Sequence, residues 1–477
     1  MRDRLSSRGE VILATLGVAL ALLLSALDQT VVGVAMPRIV RELHGFTYYA
    51  WVTTAYLVTS TAMQPVAGKL GDMFGRKPFL LAGIVGFIAA SALCGMSQNM
   101  GELVLFRAGQ GLFAGVLFAS TFAVVADIFP PAQLARMSGV FGGVFGVSSL
   151  LGPTLGGFLT DGPGWRWAFY VNVPLGLIAV ALVVTRLPYV RSARAGLRDI
   201  DWAGTGLLLA GLTPLLTGLS MTRDHSWLSA QVLGSLGLAA VMLAGFGWVE
   251  RKAAHPVVPF GLFRLNVFAV PAIISFFSAI GMFGTVIFVP LVYQGLLATS
   301  ATNSGQLLTP MMLAVVATST VAGAVLARVR RYRFVGTAAL GAMILGLLLL
   351  AAAGLHSSRL EVTRDIIVVG AGLGVTFPLT IAVVQAGLPR HLVGVATSQV
   401  NFWRSLGGVI GTAVLGSILV NRLPAQESPM GLADALHDVF VVAAIIATVA
   451  LLATIFLREV PLGRSAEQVR EALPEAA

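Results

Sequence analysis

Charge is what this 477-residue chain has least of. Asp, Glu, Lys and Arg together make up 11% of it and hydrophobic residues 57%, against about 25% charged and about 45–50% apolar residues in soluble domains. A water-borne fold of this length could not hide so much apolar surface, which excludes a soluble multidomain protein. Lysine occurs only at Lys69, Lys77 and Lys252, all between apolar runs. That excludes the mid-membrane lysine chemistry of a proton-translocating respiratory subunit. The single cysteine, Cys94, lies inside an apolar run, so no disulfide forms within the chain and the thiol reads as a small packing residue. The histidines, at 44, 225, 255, 356, 391 and 437, read as loop residues, against a histidine relay. No Gly-x-x-x-x-Gly-Lys-Ser/Thr loop is present, because the one Gly-Lys pair, Gly68-Lys69, precedes Leu70. No nucleotide, cofactor or metal is therefore expected.

The apolar residues come in runs of about 20, the length that crosses a hydrocarbon core ~30 Å thick. Helices are expected near residues 11–35, 48–68, 79–98, 102–126, 137–160, 168–187, 202–221, 230–249, 267–292, 304–327, 334–354, 366–387, 393–420 and 436–457, fourteen crossings of an all-α membrane protein. Arg2, Arg4 and Arg8 before Val11 to Ala26 have the layout of a signal peptide, but the run continues to Pro37 and reads as an uncleaved first helix. The net charge of +10 forms no stripe on a soluble face, so no nucleic-acid partner is expected. Of the 31 Lys and Arg, 22 fall at the amino terminus, after even-numbered helices or in the tail, and seven in the opposite loops. This bias places both termini in the cytoplasm of a multi-pass cytoplasmic-membrane protein.

Two longer basic connections, around residues 188–201 and 250–266, divide the chain. Residues 1–188 form an N-terminal six-helix bundle, 189–260 two linker transmembrane helices, 261–460 a C-terminal six-helix bundle and 461–477 a cytoplasmic tail. The sixes look like a repeat: Gly68 to Lys77 has a degraded counterpart in Gly323 to Tyr332, and Gly152 and Gly156 correspond to Gly407 and Gly411. Parallel repeats about an axis along the membrane normal are a transporter architecture.

Only Asp28, Arg107 and Arg404 are ionisable and well inside the expected spans. A lone charge at mid-bilayer costs on the order of 3 kcal/mol, so each should face the bundle interior or an aqueous cavity. Asp28 lies in Ala26-Leu-Asp-Gln-Thr-Val-Val-Gly-Val-Ala-Met-Pro37, toward the outer end of helix 1. It is a candidate proton carrier; the alternative is a structural carboxylate bonded to nearby backbone or hydroxyls. Arg107, with Gln110 and Gly111 following, sits in the outer half of helix 4 and could share a cavity with Asp28 or snorkel outward. Arg404, after Trp403, is midway along helix 13 with no acid deep enough to pair with it, and serves either substrate and gating contact or packing against carbonyls.

At these residues the chain resembles the major facilitator superfamily, and most closely its fourteen-helix drug:proton antiporter branch, the QacA/EmrB-like exporters. Gly68-Lys-Leu-Gly-Asp72-Met-Phe-Gly75-Arg76-Lys77 is similar to the superfamily's loop between helices 2 and 3, departing at Met73, where a basic residue is usual. The resemblance implies a conformational latch of Gly68, Asp72, Gly75 and Arg76, with Asp127 and Arg136 as partners. Leu103 to Gly115, with Arg107, Gln110 and Gly111, resembles the helix 4 motif tied to proton coupling, and Asp28 falls at the acidic position of the helix 1 motif. Gly152-Pro153-Thr-Leu-Gly156-Gly157 resembles the helix 5 signature of antiporters, with Gly139/Gly143 and Gly142/Gly146 adding four-residue glycine spacings. Trp165 to Gly176 is also typical of the branch.

The fold implied is two six-helix bundles plus two inserted helices, working by alternating access. The function implied is proton-coupled export of lipophilic drugs or antibiotics, with a dedicated exporter of one metabolite or lipid as the alternative. Asp28 and Arg107 would couple the proton, while Gln110, Trp403 and Arg404 would contact substrate or gate it. Expected partners are a small lipophilic substrate, protons and the bilayer, and a monomer is compatible with this. Helix 10, expected over Ser304 to Ala327, carries no acid, which argues against selectivity for divalent cations and for a neutral or singly charged amphiphile.

Overall fold

The computed structural model describes residues 8–44, 49–129, 131–189, 201–222, 225–253, 256–296, 308–326, 331–422 and 429–459. Among them every regular element is helical. Fourteen long helices follow in order: α1 (Arg8–Leu43), α2 (Tyr49–Phe74), α3 (Arg76–Met96), α4 (Met100–Ile128), α5 (Pro131–Asp161), α6 (Trp167–Arg186) and α7 (Trp202–Met221), then α8 (Ala230–Glu250), α9 (Asn266–Leu291), α10 (Thr309–Leu326), α11 (Tyr332–Ala351), α12 (Arg359–Gly387), α13 (Arg390–Arg422) and α14 (Pro429–Ile455). Twelve are long and apolar enough to cross a membrane; α2 and α5 are outside that set. In α2 the reason is composition, since Thr53, Thr54, Thr59, Ser60, Thr61 and Gln64 dilute it. This helix packs against α4 and α13, so protein rather than lipid takes up much of its surface. The side chains of α5 are described only in part.

The packing repeats. In the first six helices the intimate pairs are α1 with α5 and α6, α2 with α4, and α3 with α4 and α6. In the last six they are α9 with α13 and α14, α10 with α12, and α11 with α12 and α14. Every pair in the second set is a pair of the first moved eight helices along the chain. The contacts between the sets are reciprocal as well: α2 meets α13 as α10 meets α5, and α4 meets α13 as α12 meets α5. Such reciprocity is the mark of a pseudo-twofold relation between two parallel repeats. Helices α7 and α8 pack on each other, α7 leans on α2 and α13, and α8 is the least buried of the apolar spans.

Glycine sets the closest approaches. A Cβ on Gly152 would fall on Thr30 and one on Gly156 on the backbone of Val31, both in α1. In the same way, Gly407 and Gly411 of α13 lie on Phe276 and Ile280 of α9. Helix pairs in a bilayer gain little from hydrophobicity, so backbone contact of this kind is what holds them.

Helix ends extend beyond the apolar runs because polar caps fix them. Ser358 and Glu361 form a reciprocal capping box that starts α12 at Arg359, seven residues before the apolar stretch. The extension brings a further acid into the fold: Asp365 is buried and pairs with Arg364 at 2.8 Å. His437, expected in a loop, lies within α14 with Nδ1 2.8 Å from the carbonyl oxygen of Ala351.

Gly407→Val should drive a side chain into the Phe276 carbonyl, 2.2 Å from the position of an added Cβ. A loss of about 1–3 kcal/mol is expected, read as a lower melting temperature of detergent-purified protein. Gly416→Val, with no atom within 4 Å of its added Cβ, should leave melting unchanged.

Candidate functional site

The two outer-half charges expected to share a cavity do meet. Asp28 of α1 and Arg107 of α4 form an ion pair through Oδ2 and Nη1, with side-chain exposures of 0% and 1%. The remaining valences are filled by neutral groups. Asp28 Oδ1 accepts from Gln110 Nε2 at 2.8 Å and from Asn172 Nδ2 at 2.9 Å. Arg107 also donates to Gln110 Oε1 at 2.7 Å and to the Val52 carbonyl at 3.3 Å, and its guanidinium lies 4.2 Å from the Tyr56 ring centroid. Gln110 and Asn172 both donate to Ser91 Oγ, and the Tyr56 hydroxyl donates to the Ser25 carbonyl at 3.0 Å.

Five helices thus converge on one carboxylate: α1, α2, α3, α4 and α6. Burying two charges is costly, and attraction offsets it only when further hydrogen bonds satisfy both groups. The network meets that condition for the charged pair. Gln110 Oε1 and the Tyr56 ring hold the guanidinium independently of Asp28. Gly152 and Gly156 bring α5 onto Thr30 and Val31, just beyond Asp28 on α1, and Thr30 Oγ1 donates to the Ser148 carbonyl at 3.2 Å. A displacement of α5 therefore bears on the helix that carries the carboxylate. Gly157 has no neighbour within 4 Å of an added Cβ and takes no part in this contact, while the side chain of Pro153 lies outside the described residues.

A second cluster occupies the turn from α2 to α3. Arg76 pairs with Asp72 at 2.6 Å and with Asp127, at the end of α4, at 2.6 Å. Asp72 Oδ2 accepts from the Val395 amide of α13 at 3.2 Å, linking the two sets of helices. Burial raises the Asp72 carboxyl above its usual pKa, with Arg76 opposing. Gly75 starts α3 at φ 95°, a left-handed conformation natural to glycine. Gly68 lies against Ser398 and Gly394 against the Asp72–Arg76 pair, each too close for a Cβ. Gly68, Asp72, Gly75, Arg76 and Asp127 are therefore one assembly. The Arg136 side chain lies outside the described residues.

Arg404 and Trp403 stand apart from both clusters, on α13. Gln110, grouped with them in the sequence, belongs instead to the Asp28 network. Arg404 donates to Asn401 Oδ1 at 2.9 Å and Thr380 Oγ1 at 3.0 Å and lies 3.9 Å from the Phe377 ring centroid. Sequence reasoning missed Ser91, Asn172 and Tyr56 as partners of Asp28 and Arg107. The available signal was position: Ser91 and Asn172 are polar interruptions in the apolar helices α3 and α6.

A repeated bundle with a buried charge pair in one half and a polar cluster joining both fits the design of a secondary transporter. The Major Facilitator Superfamily profile matches residues 18–412. The chain is 39% identical over 407 residues to the multidrug transporter protein MdtP of Bacillus subtilis (strain 168), covering 85% of this chain and 75% of that protein. It is 32% identical over 416 residues to the tetracenomycin C resistance and export protein of Streptomyces glaucescens, covering 86% and 76%. The solved structure of the proton:xylose symporter XylE superposes with a TM-score of 0.71 at 14% identity, over 98% of this chain and 99% of that one. The chain belongs to the major facilitator superfamily, a family of transporters rather than enzymes.

Arg76→Ala should leave Asp72 buried without its counter-charge and loosen the seam between α2 and α13. A Ser398→Cys reporter in that seam, buried in the parent, should react with a water-soluble maleimide several-fold faster in the Arg76→Ala background, at unchanged expression.

Proposed function

We propose that this protein is a proton-coupled antiporter exporting lipophilic drugs or antibiotics across the cytoplasmic membrane by alternating access. The observation that carries the coupling is the Asp28–Arg107 pair, buried and bonded on every side. The relatives named as a multidrug transporter and as an antibiotic resistance and export protein support the efflux direction. So does the glycine pair of α5 seated on α1.

In this reading all fourteen helices cross the bilayer and both termini are cytoplasmic, as the Lys/Arg bias implies. Residues 1–188 and 261–460 are the rocking bundles, 189–260 is an accessory pair and a single copy suffices. The latch of Gly68, Asp72, Gly75, Arg76, Asp127 and Arg136 holds the cytoplasmic side shut. With the latch closed, Asp28 is charged and held by Arg107. A proton arriving from the outer side neutralises the carboxylate and frees Arg107 to turn to Gln110 and Tyr56. The α1–α5 contact through Gly152 and Gly156 carries that change to the latch, the cytoplasmic side opens and substrate enters. Substrate near Trp403 and Arg404 favours loss of the proton inward, which restores the ion pair and returns the loaded carrier outward. A proton moving inward gains ~2.3 kcal/mol per 100 mV of membrane potential, enough to drive export without nucleotide.

Asp28→Asn should insert and fold, because the amide oxygen can still accept from Gln110 and Asn172 while Gln110 Oε1, the Val52 carbonyl and the Tyr56 ring still hold Arg107, yet it should not couple. In everted vesicles screened over lipophilic cations, neutral antibiotics and lipids, the parent should show substrate-induced proton movement. Asp28→Asn should show less than about a tenth of it. Parent-level proton movement in the variant would remove Asp28 from the mechanism.

A further inference from the structure

The two arginines inside the bundle are compensated very differently. Arg107 has a carboxylate; Arg404 has none within ion-pair distance among the described residues. Its partners are the neutral oxygens of Asn401, Thr380 and, at 3.4 Å, Ser275, with the face of Phe377 beneath it. Thr380 Oγ1 is itself committed to the Thr376 carbonyl at 3.0 Å. The guanidinium is thus packed and oriented, but its charge is not neutralised.

Two further buried donors on the same turn of α13, Asn401 Nδ2 and Trp403 Nε1, have no hydrogen-bond partner among the described residues. Asn401, three residues before Arg404 and bonded to it through Oδ1, shares its face of α13, whereas Trp403 leaves α13 in another direction. Buried polar groups in a finished site are normally paired, so the unmet Asn401 donor beside an uncompensated cation marks a place for an acceptor that arrives from outside. Its position suits cargo. Residue 404 is midway along the Leu392–Leu419 span. Phe377, on which Arg404 rests, packs on Phe122 of α4 at 5.5 Å, and Gln64 of α2 donates to the adjacent Ser405 at 3.2 Å. This is the seam between the two sets of helices, where a rocking-bundle transporter binds its substrate.

We infer that the exported compounds are lipophilic aromatic weak acids carried as their monoanions, with Arg404 as the counter-charge, Asn401 as a hydrogen-bond donor and Phe377 and Phe122 as the aromatic wall. This rests on the efflux reading and names its substrate class. A monoanion neutralises the Arg404 charge, which has no carboxylate partner among the described residues, so the loaded carrier crosses its occluded state with no net charge at the seam. A lipophilic cation would meet an uncompensated positive charge at contact distance, and a neutral ester would leave the guanidinium as it was.

The test is equilibrium binding to the purified full-length protein in detergent, with no gradient present. The probes are naphthoate, methyl naphthoate and trimethyl(naphthyl)ammonium, and titration calorimetry is the readout. The parent should bind naphthoate at least about tenfold more tightly than the ester or the cation. Arg404→Gln should erase that preference and Arg404→Lys should keep most of it, with all proteins monodisperse on gel filtration. Asp28→Asn should retain the preference for the acid, so failure of proton coupling and failure of substrate class are read separately. Equal or tighter binding of the ester or cation by the parent, or an undiminished acid preference in Arg404→Gln, would overturn the proposal. In proteoliposomes an inside-negative potential alone should accelerate naphthoate export several-fold; indifference to potential would count equally against it.

Discussion

The most demanding contact in this molecule is a carboxylate fully buried among five helices, Asp28, paired with an equally buried arginine, Arg107. Asp28 survives there because Arg107 lies against it and because Gln110 and Asn172 donate to its other oxygen. Five helices must hold their positions for those bonds to coexist. A surface carboxylate would meet water instead, and no such convergence of helices would be needed. Buried pairs are poor sources of stability but good devices for making two arrangements close in energy.

The helices around the pair are closely seated. Glycine seats α5 on α1 beside the carboxylate, and the same device seats α13 on α9 in the other set. The cluster at the end of α2 links α2, α4 and α13 through one arginine, two aspartates and an amide. These contacts are polar and few, and they are the link on which the proposed cycle acts. The packing of α2 on α13 and of α10 on α5 is reciprocal, as expected for two parallel repeats.

Much of this was legible in the sequence, for a physical reason. Charge in hydrocarbon is so unfavourable that Asp28, Arg107 and Arg404 stand out with no other information, and glycine spacing and Lys/Arg bias survive in any single chain. What could not be read was which neutral polar residues meet. Ser91, Tyr56 and Asn172 cost little enough in a helix to pass as background, and only the packing of α3, α2 and α6 brings them to one point. Asparagine is instructive: Asn172 bonds to Asp28 and Asn401 to Arg404, so the two asparagines well inside described helices both serve the buried charges. Asp365 was hidden differently, because hydropathy marks where an apolar run begins and the Ser358–Glu361 cap starts the helix a turn and more earlier. Gln110, expected both in the helix 4 motif with Arg107 and as a substrate or gating contact, is bonded to Arg107, Asp28 and Ser91.

The central claim is that one carboxyl group is proton-bound in one state of the transport cycle and ion-paired in the other. Infrared difference spectroscopy on reconstituted protein reads this directly. At mildly acidic pH the protonated-carboxyl band of the parent should lose intensity when a transported substrate is added, and Asp28→Asn should lack that change. A substrate-induced difference spectrum with no carboxyl component, or with the same component in Asp28→Asn, would contradict the account.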